Sequence, residues 1–236
     1  MIDPHSYESC KSVFAEYDIQ LTEKQYDKFS IYADMLMDES KHQNVTAIRE
    51  LPDIWIRHFL DAAYLLRFLP DSANILDMGT GGGVPAVPLA VMQPGLHITM
   101  LDSELRKIEF CQRVIEKLGL DAAAISGRAE ELAHNSDYRG KFDVVVSRAM
   151  ANGSMLTELS VPFLKTDGFL LAMKGSQYDP AVERFEPAAE AIGAAVVYAE
   201  PYLICGEQKH LVRVQKTADT PERFPRRFAK IKRSPL

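Results

Sequence analysis

The sequence predicts an α/β fold: a mostly parallel, Rossmann-like sheet with one antiparallel strand near its edge, preceded by a helical extension. From residue 74 onward, short apolar segments alternate with longer segments whose apolar residues recur at helical spacing, which is typical of parallel βαβ units. The last two apolar segments are joined by a short connection containing Gly206, which predicts an antiparallel hairpin. The 236 residues suffice for one such domain with appendages.

Each predicted element follows from its local pattern. Residues 22–38 and the segment that starts at Leu51-Pro52 carry apolar faces at helical spacing, and a proline suits the first turn of a helix. Strands are predicted at 74–78, 97–101, 122–126, 142–146, 168–173, 194–203 and 209–215. Helices between them are predicted at 84–92, 104–118, 153–165 and 179–192. We therefore expect a helical extension at 1–70, a core at 71–216 and a basic tail at 217–236.

A glycine-rich loop follows the first predicted strand, with the pattern D-x-G-x-G-x-G from Asp77 to Gly83. Glycine permits positive φ and a close approach of the backbone to a ligand, which makes Gly79 and Gly81 candidate contacts. The sixth position counted from Gly79 is Val84, so the loop differs from the dinucleotide fingerprint G-x-G-x-x-G. It resembles motif I of class I methyltransferases, which implies that fold and S-adenosyl-L-methionine as cofactor.

Asp102 stands at the end of the second predicted strand, 23 positions after Gly79. A carboxylate roughly 20 residues past the glycine turn is placed to accept hydrogen bonds from ribose hydroxyls. The alternative is that Asp102 or Ser103 caps the next helix. We predict ribose binding by Asp102, with Ser103 available as the cap.

The end of the fourth predicted strand, Ser147-Arg148-Ala149, separates classes of substrate. It lacks the [N/D]-P-P-[Y/F] motif of enzymes that methylate exocyclic amines of nucleic acids. It also lacks the cysteine nucleophile that methylation of pyrimidine C5 requires. The three cysteines are scattered and fit neither a disulfide framework nor a zinc site, so we expect no metal.

Eight segments, in this order, resemble the RsmG (GidB) family of bacterial small-subunit rRNA guanine-N7 methyltransferases, over roughly residues 20–236. They are Asn44–Ala47, Arg57–Asp61, Gly79–Ala90, Leu101–Ser103, Gly127–Glu130, Ser147–Ala149, Lys174–Gly175 and Phe224–Arg227. Ala86 departs from the family's usual glycine, and Phe228-Ala229 from its frequent Pro-Gly, which leaves the path of the tail open. The resemblance implies N7-methylation of a guanine in the 530 loop of 16S rRNA, with small-subunit particles as partner.

The resemblance also implies cofactor contacts at Gly79, Val84, Ala129, Glu130 and Arg148. For Glu130, the residues alone favour an exposed acid in a short helix. Arg148 is placed to pair with the methionine carboxylate or to donate to guanine O6, and a buried structural ion pair is the alternative.

Guanine N7 attacks with a lone pair and carries no proton, so we nominate no general base and expect alignment and water exclusion to supply the rate. His58 lies on a helix before the sheet, where we predict a positioning or packing role. Lys174, at the end of the fifth strand, is a candidate contact for substrate phosphate or a wall of the pocket.

The C-terminal segment is basic, whereas the chain as a whole is acidic. From Arg213 to Leu236 the net charge is +6, whereas the whole chain carries −6. Such asymmetry is typical of nucleic-acid-binding tails, and a solvated terminus is the alternative. We predict an extended basic arm that carries Phe224 and Phe228 as aromatic anchors and binds RNA through Arg226, Arg227, Lys230 and Lys232.

Two other functional classes stay open from sequence: a class I methyltransferase acting on a small molecule or protein, and a non-catalytic binding module. An acidic body favours the first of these, but leaves the basic tail without a role. The chain has no apolar run of the 18 or more residues that a membrane span needs, and Met1–His5 does not begin a signal peptide. We expect a cytoplasmic protein without membrane contact.

Overall fold

The computed structural model describes residues 2–236 and contains one seven-stranded sheet. The strands are β1 (Ala73–Met78), β2 (Leu96–Asp102), β3 (Ala122–Ser126), β4 (Phe142–Arg148), β5 (Leu164–Lys174), β6 (Ala194–Ile204) and β7 (Glu207–Lys216). They lie in the order β3-β2-β1-β4-β5-β7-β6. The first five pair in parallel, and β7 runs antiparallel to both β5 and β6. The predicted parallel sheet with an antiparallel strand near its edge is confirmed.

The helices of the core flank this sheet. They are α5 (Ala86–Met92), α6 (Leu105–Leu118), α7 (Ala129–Leu132), α8 (Gly153–Ser160), α9 (Pro180–Glu183) and α10 (Phe185–Ile192). The predicted helix 179–192 is wrong in one respect, because it is interrupted at Arg184, which has a φ of +54°. Pro187 accounts for the break, since its ring would clash with the carbonyl of residue 183 in a continuous helix. The predicted helix 153–165 gives way to a 3-10 turn at Val161–Phe163 and then to β5.

The helical extension packs directly on the sheet and its glycine loop. It consists of α1 (Tyr7–Ala15), α2 (Glu23–Glu39) and a helical segment made of α3 (Leu51–Ile54), a π turn (Trp55–Leu60), α4 (Asp61–Tyr64) and a 3-10 turn (Leu65–Phe68). The phenol of Tyr32 in α2 donates to the carbonyl of Gly82 at 2.7 Å. Buried aromatic residues of the extension share one hydrophobic cluster with β1 and β2. The extension and the core therefore form one packed body.

The prediction of an extended basic arm is wrong, because the tail folds back and packs on the core. Helix α11 (Phe228–Arg233) buries Ile231, and Phe224 before it is also buried. Arg139 donates to the carbonyls of Thr220 and Phe224, each at 2.9 Å. Burial of two apolar side chains and these hydrogen bonds hold the tail against the domain.

The strand order determines where the site lies. The carboxyl ends of parallel strands meet at one edge of a sheet, and ligands of open α/β folds bind there. In this protein the glycine loop follows β1, Asp102 ends β2, Arg148 ends β4 and Lys174 ends β5. These residues, far apart in sequence, come to the same edge.

Candidate functional site

Two adjoining cavities open at the carboxyl edge of the sheet. The first has a volume of about 580 Å³ and the second about 750 Å³, sizes that suit small-molecule sites. Val45, Thr46, Ala47 and Ala149 line both cavities. The two spaces therefore meet along the segment between α2 and α3 and the loop after β4.

The glycine loop forms one side of the first cavity. The backbone N–H groups of Gly79 and Thr80 donate to the carbonyl of Leu101 at 2.8 and 3.0 Å, which fixes the loop to the end of β2. Gly79 has a φ of +72°, and a Cβ there would lie 2.8 Å from Cγ of Met150. The loop thus requires glycine at this position both for its backbone conformation and for its close packing.

Asp102 places a carboxylate in the wall of the same cavity. Its Oδ2 accepts from the N–H of Gly81 at 3.1 Å, and its Oδ1 accepts from the N–H of Glu104 at 3.0 Å. A carboxylate has about four acceptor sites, so capacity remains for the hydroxyl groups of a ribose. The prediction that Ser103 caps the next helix is wrong. Glu104 is the N-cap of α6, and its side chain makes no capping hydrogen bond.

Ala129 and Glu130 lie at the start of α7 and line the first cavity as well. The carboxylate of Glu130 accepts from Nε of Arg128 at 2.6 Å. The guanidinium of Arg128 lies over the ring of Phe228, 4.6 Å from its centroid. Phe228 belongs to the tail and also lines the cavity, so the tail contributes one wall of this site.

The lining of the first cavity fits S-adenosylmethionine. Apolar side chains offer a surface for the adenine and the methionine stem, and they include Met78, Leu101, Met155 and Leu159. Asp102 supplies the acceptor that ribose hydroxyls require, and the glycine loop lets the backbone come close.

Two of the predicted cofactor contacts, Val84 and Arg148, do not line the first cavity. Val84 is buried behind the loop, where its N–H donates to the carbonyl of Thr80 at 3.2 Å. Arg148 lines the second cavity and not the first. Five predicted contacts, Gly79, Gly81, Asp102, Ala129 and Glu130, therefore share the first cavity, and these two do not.

Arg148 lies in a network of buried groups at the second cavity. Its Nη1 donates to the carbonyl of Arg57 at 2.8 Å, and its Nη2 donates to Nδ1 of His58 at 2.9 Å. Nε2 of His58 lies 2.7 Å from Oγ1 of Thr46. Burial, reinforced by the Arg148 cation, lowers the pKa of His58 to about 3, so its imidazole is neutral near pH 7. The predicted positioning or packing role of His58 agrees with this arrangement.

Asp61 is the buried acid of the network, and sequence reasoning gave it no role. It accepts from the phenol of Tyr202 at 3.0 Å and pairs with Lys209 at 2.9 Å, while Arg148 lies 3.9 Å away. Burial lowers the pKa of the Arg148 guanidinium, whereas Asp61 raises it. Asp61 lies in Arg57–Asp61, one of the segments that resemble the RsmG (GidB) family, and this resemblance could have marked it as a candidate. Its partners on β6 and β7 could not be recognised from the sequence.

Lys174 lines the second cavity in an ion pair. Its Nζ lies 2.7 Å from Oε2 of Glu183 and donates to the carbonyl of Ala151 at 2.8 Å. The Glu183 carboxylate neutralises the charge that was predicted to contact substrate phosphate. The arrangement places Lys174 in the wall of the cavity.

Arg226 was predicted to contact RNA, but the structure pairs it with a buried acid. Its guanidinium donates to both carboxylate oxygens of Glu158, at 2.8 and 2.6 Å, and its backbone N–H donates to the same carboxylate at 2.9 Å. Glu158 is fully buried in α8. Arg226 therefore anchors the tail, whereas Arg227, Lys230 and Lys232 are exposed.

Two further properties bear on the class of protein. Among residues 2–236 no group of three or more His, Cys, Asp or Glu side chains is arranged to hold a metal ion. Within the same range, no helix combines the length and the apolar character needed to cross a membrane.

The strand order, the glycine loop after β1 and the carboxylate at the end of β2 define a class I S-adenosylmethionine-dependent methyltransferase. The fold is similar to the structure of M. jannaschii TYW2 in complex with AdoMet (TM-score 0.51, 16% identity, 66% of this chain and 73% of that one). It is also similar to a TehB-like SAM-dependent methyltransferase from Corynebacterium glutamicum (TM-score 0.50, 20% identity, 67% and 87%).

The sequence comparisons narrow the class. The family model for rRNA small subunit methyltransferase G matches residues 25–212. The ribosomal RNA small subunit methyltransferase G of Lactococcus lactis subsp. lactis is 34% identical over 95% of this chain and 97% of its own length. That of Clostridium novyi is 37% identical over 93% and 92%. The chain belongs to the rRNA small subunit methyltransferase G family.

Proposed function

We propose that this protein transfers a methyl group from S-adenosylmethionine to N7 of a guanine in the 530 loop of 16S rRNA, on small ribosomal subunit particles in the cytoplasm. The family supports the class of reaction and rRNA as the substrate. The single structural observation that carries the proposal is that the two cavities adjoin and share Thr46 and Ala149 in their linings. A second space of suitable size for a nucleobase therefore lies directly beside the cofactor site.

The residues present suit this chemistry. When bound, S-adenosylmethionine supplies a methyl group already activated by a sulfonium. The guanine N7 attacks with a lone pair and has no proton to lose, so the protein needs no general base. The role of the chain is to hold both partners in line and to exclude water. His58, with its pKa of about 3, is unsuited to act as a base that titrates near neutral pH.

The exposed cations of the tail support RNA as the partner. Arg227, Lys230 and Lys232 lie next to Phe228, which lines the first cavity. The rest of the chain is strongly acidic and is repelled by phosphate. A local basic surface beside the site offsets this repulsion, and we assign to it the contact with rRNA phosphates. The tail at 217–236 thus serves both as a wall of the cofactor site and as an RNA-binding surface.

The test is to map N7-methylguanine in 16S rRNA from cells with and without the protein, and then to add purified protein to unmethylated particles. Asp102→Ala is the control variant, because its cavity lacks the ribose acceptor. We expect the mark to be absent from deficient cells and restored in vitro by the wild-type protein. Labelled methyl that enters proteins or small molecules while particles remain unlabelled would overturn the proposal.

A further inference from the structure

Thr46 occupies the junction of the two cavities, with its hydroxyl held from two sides. The residue is 8% exposed and lines both spaces. We propose that the hydroxyl of Thr46 recognises O6 of the target guanine by donating a hydrogen bond to it. Arg148, acting through His58, fixes the direction of this bond, so that the hydroxyl can only donate. This inference rests on the proposed function and concerns how the purine is selected.

The direction of each hydrogen bond follows from the chemistry of the groups. A guanidinium has donors and no acceptor, so the contact between Nη2 of Arg148 and Nδ1 of His58 requires Nδ1 to accept. A neutral imidazole carries one N–H, which must then be at Nε2. Nε2–H therefore donates to Oγ1 of Thr46 at 2.7 Å.

The second lone pair of the hydroxyl is also occupied. The backbone N–H of Ile48 donates to Oγ1 of Thr46 at 3.1 Å. A threonine hydroxyl has two acceptor lone pairs and one hydrogen. With both lone pairs engaged, Thr46 presents only its hydrogen to a ligand.

A donor at this place distinguishes the two purines. Guanine shows N7 and O6 as neighbouring acceptors on one edge, whereas adenine shows N7 beside the N6 amino donor. The base must turn this edge towards the first cavity, because N7 receives the methyl group. Thr46 can then donate to O6 of guanine, but it would meet the amino group of adenine with a donor. Because Arg148 and His58 act through Thr46, they are positioning residues.

Because the network is buried, the direction of its hydrogen bonds stays constant. His58 is 4% exposed, and its pKa of about 3 leaves the ring neutral across the working range of pH. Asp61, which pairs with Lys209, lies 3.9 Å from Nη1 of Arg148 and adds a carboxylate beside the guanidinium. The hydroxyl is thus oriented before the base arrives, which reduces the cost of binding.

The experiment is a cycle that removes each partner of the proposed bond in turn. Particles are reconstituted with guanine or with 2-aminopurine at the target position, since 2-aminopurine retains N7 and lacks O6. Wild type, Thr46→Val and Thr46→Ser are compared by kcat/KM, and titration with S-adenosylmethionine verifies folding. Valine has the shape of threonine without the hydroxyl, whereas serine restores it.

For wild type we expect guanine to be preferred to 2-aminopurine by about 10- to 100-fold, the usual effect of an unpaired buried polar group. In Thr46→Val this preference should fall by about tenfold or more, and Thr46→Ser should recover most of it. His58→Gln keeps an N–H directed at Thr46 and should preserve the preference, whereas His58→Phe should reduce it. An identical preference in wild type and Thr46→Val would overturn the inference. A wild-type protein that leaves guanine particles unmethylated would instead overturn the proposed function.

Discussion

The guanidinium of Arg148 donates to Nδ1 of His58 over 2.9 Å, and this bond joins the end of β4 to the helical segment that precedes the sheet. The same guanidinium donates to the backbone of Arg57. Arg148 thereby sets the position of the segment that carries His58, rather than pointing into the first cavity. The cofactor site and the ordering of the second cavity depend on different residues.

The first prediction separates these two roles. Arg148→Ala should leave the affinity for S-adenosylmethionine within about twofold of wild type and lower kcat/KM on particles by about 10- to 100-fold, since it removes the donor that orients His58. Calorimetric titration and single-turnover methylation measure the two effects. If affinity for the cofactor falls as much as the rate, Arg148 pairs with the methionine carboxylate after all.

The second prediction concerns Gly79. Alanine there must adopt a φ of +72° and place its Cβ 2.8 Å from Met150, so we expect the affinity for S-adenosylmethionine to fall by about tenfold or more. Gly119→Ala is the matched control, because Gly119 has a φ of +58° with no atom within 4 Å of the added Cβ. Each variant should lose about 1 kcal/mol of stability to its positive φ, and Gly79→Ala should lose more because its Cβ displaces Met150. Only Gly79→Ala should lose affinity. Equal affinity in both variants would show that the loop does not approach the cofactor.

Much of the fold could be read from the sequence because its signals are local. The apolar runs of β1 and β2 and the glycine loop between β1 and α5 each lie within a few residues. The parallel pairing of the strands then follows from the rules for βαβ units. Gly79 and Asp102 reach the same cavity for this reason.

The missed features depend on pairs of residues that are distant in sequence. Glu158 and Arg226 are 68 positions apart, and Asp61 and Tyr202 are 141 apart. A buried acid in a helix looks like any exposed acid until its partner is known. The path of the tail was wrong for a related reason: the sequence shows the six cations of residues 217–236 and the aromatic Phe224, but not the buried cluster on the core in which Phe224 and Ile231 lie.

The third prediction tests the surface of the tail. Arg227, Lys230 and Lys232 are exposed, and replacing all three with glutamine should lower the slope of log affinity against log salt by about two units for binding to particles. Cofactor affinity should not change. The control replaces three exposed lysines outside the tail, namely Lys11, Lys24 and Lys117. Should the control lower the salt slope as much as the tail variant does, RNA binding has no preference for the tail.

The fourth prediction concerns the anchor of the tail. Glu158 is fully buried and pairs with Arg226 through two side-chain bonds, so Arg226→Ala leaves an uncompensated buried charge. We expect a loss of about 2–4 kcal/mol in the free energy of unfolding. Arg227→Ala, at the neighbouring exposed position, should cost less than about 0.5 kcal/mol. Urea denaturation measures both, and equal losses would mean that the buried pair does not hold the tail.

The fifth prediction is a dependence of stability on pH that arises from Asp77. Asp77 is fully buried at the end of β1; its Oδ2 accepts from the hydroxyl of Thr80 at 2.6 Å, while its Oδ1 has no partner within residues 2–236. Burial raises the pKa of this carboxyl from 3.8 to about 6, against the opposing effect of the bond from Thr80. The folded protein therefore binds a proton more tightly than the unfolded chain does. Between pH 3.8 and 6 the stability supplied by that proton is lost as the pH rises.

His58 acts in the opposite direction, because its pKa is lowered from 6.5 to about 3. The unfolded chain takes up this proton first, so stability increases as the pH rises from 3 to 6.5. In the wild type the two slopes offset one another where their windows overlap. Asp77→Asn removes one of them, and the stability of the variant should then rise more steeply with pH. The difference in free energy of unfolding, variant minus wild type, should grow by about 1–3 kcal/mol between pH 4 and 6. Urea denaturation of the cofactor-free protein at a series of pH values measures this difference, and a difference that stays constant with pH would show that Asp77 does not titrate in this range.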